Sequence, residues 1–165
     1  MSVINIGRGS SNFYCNLIKA YLRNHEKVSV VAGGLRINLG VWVCYYIKTM
    51  FRVDKINVHF IEDLQTHTIF SFDVYRGSPE PVAVETSKPC DSVLRIRHCM
   101  DMKYLREELD KVNSMEIVAS GSLCYRAMFL TTFAYKKGFR RSDIDIHWMG
   151  NKVGVKIPVY KSINN

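Results

Sequence analysis

Two stretches of this chain restate each other. Val31-Ala32-Gly33-Gly34 aligns with Val118-Ala119-Ser120-Gly121, and Asp54-Lys55-Ile56-Asn57-Val58-His59-Phe60 with Ser142-Asp143-Ile144-Asp145-Ile146-His147-Trp148. The second pair keeps every apolar position and the histidine. Internal repetition constrains the fold more than any single segment can, because each copy must be one supersecondary unit and the element order must read twice.

In the first copy, Val3–Ile6 alternates as a short strand and stops at Gly7-Arg8-Gly9. Ser10-Ser11-Asn12 offers capping side chains for a helix to about His25, with Phe13, Leu17, Ile18, Tyr21 and Leu22 on one stripe. A β-rich run, 28–32, ends at Gly33-Gly34. The helix expected from about Leu35 to Phe51 is apolar nearly all round, which implies burial on more than one side. Lys55–Ile61 and Thr68–Tyr75 alternate as two closing strands. The order is β-α-β-α-β-β.

Residues 78–92 hold Pro79, Pro81 and Pro89 and no periodicity, so they read as a linker. The same order then restarts. Val93–Ile96 is a strand, Asp101 caps a helix carrying Met102, Leu105, Leu109 and Val112, and 115–119 is a strand stopped by Ser120-Gly121. A second apolar helix, Ser122–Lys137, ends at Gly138, and Ser142–Met149 and Val153–Tyr160 are the last strands around Gly150-Asn151-Lys152. The expected organisation is therefore a repeat at 1–77, a linker at 78–92 and a second repeat at 93–165, in an α/β (α+β) fold.

The formal charge is +8. It sits on the repeats, with nine basic against five acidic side chains up to Gly77 and thirteen against seven from Val93, whereas the linker is acidic. Positive charge on folded units points to a polyanionic partner, RNA or DNA. The cysteines at 15, 44, 90, 99 and 124 form no CxxC pair and have no zinc-type histidine spacing, so free thiols, a reducing compartment and no structural metal are expected. The longest apolar stretch, 41–47, is too short to span a bilayer, and the N-terminus has no secretory pattern. The expected location is intracellular: cytoplasmic, organellar (a mitochondrion) or nuclear.

A β-α-β-α-β-β unit with a glycine turn after its second strand and a long apolar second helix resembles the Alba superfamily. Val30-Val31-Ala32-Gly33-Gly34-Leu35-Arg36-Ile37 is similar to the strand, turn and Arg-bearing helix start found there. The stage V sporulation protein S family, which shares that fold, is an equally close match through 4–12 and 117–123. The resemblance implies non-catalytic binding of RNA or DNA, without a cofactor, by dimers that pair through the second helices. Two repeats in one chain would form that pair internally, as a pseudo-dimer. The sequence departs from Alba in lacking its lysine pair after the first strand and in the short, acidic hairpin segment Glu62-Asp63-Leu64-Gln65-Thr66. Both departures favour RNA over the minor groove of DNA.

The candidate contacts are Arg8, Arg36, Arg97, His98, Arg126 and the cluster Lys136, Lys137, Arg140, Arg141. Gly7-Arg8-Gly9-Ser10-Ser11, between strand and helix, could offer backbone N–H groups to a phosphate. Arg36, Arg126, Arg95, Arg97 and His98 would gather on one face in the geometry the resemblance implies. Lys136 and Lys137 could equally serve the helix macrodipole. Asp143, Asp145 and His147 alternate and would share one side of a strand, which is expected to be a polar solvent face and not a catalytic or metal site. The alternative function is a scaffold subunit of a ribonucleoprotein assembly that docks mainly on protein partners, with Trp42, Tyr45, Tyr46, Phe129 and Phe133 as surplus aromatic surface.

Overall fold

Apolar alternation and two glycine turns build each copy from the same parts. The structure, a computed structural model, describes residues 2–60, 68–79 and 89–161. In the first copy the elements are β1 (Val3–Asn5), α1 (Ser11–Leu22), β2 (Lys27–Gly33), a 3-10 turn (Gly34–Arg36), α2 (Ile37–Lys48), β3 (Arg52–Phe60) and β4 (Thr68–Tyr75). In the second they are β5 (Ser92–Arg95), α3 (Met102–Asp110), β6 (Ser114–Ser120), a 3-10 turn (Gly121–Leu123), α4 (Cys124–Lys136), β7 (Phe139–Arg141), β8 (Asp145–Met149) and β9 (Lys152–Lys161). The chain divides into two units, Met1–Val84 and Glu85–Asn165, within the stretch read as the linker. The acidic segment 62–66 and most of the linker, 80–88, lie outside the described residues.

Both sheets are mixed. The strand order is β1-β2-β4-β3 in the first unit and β5-β6-β9-β7 in the second, with β8 also on β9. The first two strands of each sheet are parallel, as the helical crossover requires, and the rest are antiparallel. Helices cover one face. Val28, Val30 and Ala32 of β2 and Phe70, Phe72 and Val74 of β4 point into that core and are buried, and the residues between them are half-buried.

Registers match across the units. Asn57 pairs with Ser71 and His59 with Ile69, while Asp145 pairs with Lys156 and His147 with Gly154. Ile6 N–H donates to Val31 O and Ile96 N–H to Val118 O, each at 2.8 Å. Gly34 and Gly121 have φ of 58° and 59°, the left-handed conformation that opens each 3-10 turn and favours glycine.

Three expectations need correction. The long helices begin later than expected, at Ile37 and Cys124, because the 3-10 turns take up the residues before them. Strand β5 starts at Ser92, one residue earlier than expected. The strand expected over Ser142–Met149 begins only at Asp145, and a separate short strand, Phe139–Arg141, precedes it. Ser142 N–H bonds Pro158 O, yet Asp145 faces Lys156, so three steps on one strand meet two on its partner. The first unit carries the same irregularity between Asp54 and Asn57, where Lys55 has φ 54°. A bulge of this kind leaves one residue unpaired and bends the strand. Asp143 lies in the bulge and is not part of an alternating trio; His147 Nδ1 lies 3.3 Å from Asp145 Oδ2.

Candidate nucleic-acid interface

The loop after β1 is held closed from within. Gly7 N–H donates to the Tyr14 hydroxyl at 2.6 Å and Gly9 N–H at 3.3 Å, and Ser10 Oγ caps α1 by accepting from Phe13 N–H at 3.1 Å. Tyr14 is itself buried. Two of the backbone donors expected to cradle a phosphate, those of Gly7 and Gly9, are therefore engaged. Arg8 and Arg36 remain exposed at this end of the sheet.

The second unit closes the matching loop by different chemistry. Leu105 stands where Tyr14 does and has no hydroxyl. Arg126 replaces it, donating through Nη1 to Met100 O at 2.6 Å and to His98 O at 3.5 Å. Arg126 is thus brought beside His98 as expected, but it acts as a loop clamp, with its fork partly spent on carbonyls. It corresponds in register to Leu39 and not to Arg36, whose counterpart is Leu123. Arg97 and His98 are exposed.

The cluster at 136–141 lies at the opposite end of the second unit. Arg140 pairs with Tyr160, which pairs with Ser114 at the start of β6, whereas Arg97 follows a residue bonded near the end of β6. Seven residues of strand separate the two ends by roughly 20 Å at about 3.3 Å per residue. The predicted residues of this unit therefore form two separate sites.

At this second end, cations and rings interleave. Arg140 lies over Tyr135 with 4.9 Å to the ring centroid, Lys137 over Phe133 at 5.5 Å and Lys161 over Phe139 at 5.5 Å. Tyr135 is 65% exposed and Tyr160 43%. Lys136, Lys137 and Arg140 are exposed; Arg141 is half-buried. Burial lowers the Arg141 guanidinium below its ordinary value, partly offset by Asp143. No carboxylate occurs between Tyr135 and Ser142. The sequence reading missed Tyr135, Tyr160 and Lys161. The repeat carried a signal for Tyr160, because Arg52 pairs with Tyr75 in the first unit as Arg140 does with Tyr160, with the Arg52 guanidinium 4.3 Å from the Tyr75 ring centroid.

The remaining polar groups have structural work. Asp73 accepts from Ser29 Oγ at 2.7 Å and pairs with Lys27 at 3.3 Å, and Arg76 caps α1 by donating to Leu22 O at 2.8 Å. Burial pushes the Cys44 and Cys124 thiols up to about 12, so both stay protonated and pack as small hydrophobes. Among the described residues no three His, Cys, Asp or Glu side chains converge as a metal site would need, and no helix is long and apolar enough to cross a membrane. No family model, curated protein or solved structure matches the chain.

Proposed function

We propose that this chain is a non-catalytic RNA-binding protein that holds the phosphate backbone with little sequence preference. The observation that carries the reading is the end of the second unit, where Lys136, Lys137 and Arg140 are exposed, as are Tyr135 and Tyr160, and Arg140 lies over the Tyr135 ring and pairs across strands with Tyr160. Cations that track phosphates beside aromatic rings that stack bases are what a single strand needs. Arg8 and Arg36 of the first unit and Arg97 and His98 of the second add separate positive patches at the loops after β1 and β5, and Arg141 and Arg126 add further charge within the second unit.

The test is binding of the whole chain to short single- and double-stranded RNA and DNA across a salt series. The log of affinity should fall with the log of salt by about 0.7 per phosphate contacted on a single strand and about 0.9 on duplex DNA. A preference for RNA at equal salt supports the reading, and stronger binding to duplex DNA overturns the choice of RNA.

A second reading, a scaffold subunit docking on proteins within a ribonucleoprotein, is favoured by Leu35, 77% exposed, and Phe13, 54% exposed. Absence of any binding at low salt by the folded chain would select it.

The resemblance to Alba also leads us to propose that the two units pair through their second helices. One body of 165 residues has a radius of gyration of about 15 Å. X-ray scattering should return that value. A value well above it, with the profile of two separated bodies, would overturn the pairing.

A further inference from the structure

The second unit shows what covers the outer face of its helix pair. Arg106 of α3 places its guanidinium 4.6 Å from the Phe133 centroid and 5.7 Å from that of Phe129, and Lys137 lies over Phe133. Arg106 Nε makes no hydrogen bond among the described residues, so the rings hold it.

In the first unit the same platform has no arginine or lysine at the two covering positions. The N-caps Ser10 and Asp101 place Cys15 where the second unit has Arg106. The glycine turns place Trp42 and Tyr46 at the positions of Phe129 and Phe133, and Met50 at that of Lys137. Trp42 and Tyr46 stand edge to face at 5.4 Å. With a short thiol below them, a groove of about 360 Å³ opens between α1 and α2, floored by Cys15 and walled by Asn12, Asn16, Lys19, Trp42 and Tyr46. That volume lies in the range of small-ligand sites, roughly 300–1,000 Å³.

Charge identifies the occupant. Beside Arg106 the second unit has Glu107 and Asp110, an acidic setting for its own cation. The matching residues of the first unit are Asn16 and Lys19. Exchange of two carboxylates for an amide and an ammonium makes the groove unsuited to another guanidinium. It suits a flat neutral ring that carries an anion. Tyr46 is 39% exposed and offers a stacking surface, Asn12 and Asn16 can each donate and accept at a base edge, and Lys19 can meet a phosphate.

We infer that the groove between α1 and α2 of the first unit takes an unpaired nucleobase of single-stranded RNA, stacked on Tyr46 beside Trp42 with its phosphate at Lys19. The inference rests on the RNA-binding reading and adds a preference for single strands that phosphate contacts alone would not produce.

The chain has two tryptophans, so Trp148→Phe leaves Trp42 as the only reporter. A single-stranded RNA of about twelve nucleotides should quench its emission, and the blunt duplex of the same sequence should bind without quenching. In that background Tyr46→Ala should weaken single-strand binding about tenfold, in the range of base stacking on one aromatic, and leave duplex binding within about twofold. Cys15→Arg supplies the missing guanidinium; it should also weaken single-strand binding although it adds positive charge. Salt-dependent binding with Trp42 silent and both variants unaffected would overturn the groove and leave the phosphate reading standing. No binding of any RNA by the folded parent would sink both and leave this face to a protein partner.

Discussion

Reversing three charges at once, with Lys136→Glu, Lys137→Glu and Arg140→Glu, should lower affinity for single-stranded RNA by a factor on the order of 10²–10³ at low salt. The salt dependence should also become shallower, by about two in the log–log slope, since each lost phosphate contact removes about 0.7. The three side chains are exposed, so the fold should survive. One cost is expected: Lys136 is the basic residue in the last turn of α4, and a carboxylate there opposes the helix dipole by up to about 1 kcal/mol. A small fall in melting temperature with a large loss of binding therefore separates the two roles open for this cluster. A large fall in stability with unchanged slope would assign it to the helix.

The companion variant, Arg8→Glu with Arg36→Glu and Arg97→Glu, probes the other ends of the two sheets. If phosphates run along the 136–141 end, it should cost less than about tenfold, the loss of weaker, diffuse attraction. If instead it abolishes binding and the first variant does not, the interface is at the loops after β1 and β5. Arg126→Glu is a poor probe of binding, because its guanidinium ties Met100 O and His98 O, and its loss would release the loop that carries Arg97.

The repeat was legible because it rests on patterns that sequence expresses directly: strand alternation, glycine where φ must be positive, and serine or aspartate at a helix start. Side-chain partnership across the fold was not. Nothing local distinguishes Arg36, which is exposed, from Arg126, which is a clamp; the difference lies in Leu105 having replaced Tyr14 on another helix. The free-looking N–H groups of Gly7 and Gly9 were likewise taken by a hydroxyl several residues away. The bulge that removes Asp143 from its expected row was hidden for a related reason. An extra residue in an alternating run changes which side chains share a face without changing the composition of the run. Aligning the two copies position by position would have exposed the Arg–Tyr cross-strand pair and the exchange of Arg106 for Cys15.

That alignment also makes the largest stability prediction. In the first unit Gly40 of α2 lies against Ala32 and Phe70: a Cβ there would come within 2.8 Å of Ala32 Cβ and 3.3 Å of Phe70 Cδ1. The second unit has Ala127 at that place, fully buried, and its strand partner is Val155 where the first has Phe70. A larger helix residue goes with a smaller strand residue, so the two positions share one volume. Alanine inside a helix is ordinarily better than glycine by about 0.5–1 kcal/mol. Overpacking a close-fitted core costs about 1–3 kcal/mol, so Gly40→Ala should come out destabilising. Phe70→Val alone should cost about 2–4 kcal/mol through the cavity it leaves. Together the two changes reproduce the second unit's arrangement and should cost about 1–2 kcal/mol less than their sum, the coupling expected of groups in contact. Native-state hydrogen exchange of β2 and α2 amides in the whole chain would report the opening free energy of this unit for each variant. Additive losses would mean that Gly40 and Phe70 do not compete for the same space, and a Gly40→Ala chain more stable than the parent would mean that the helix shifts to accept the methyl group.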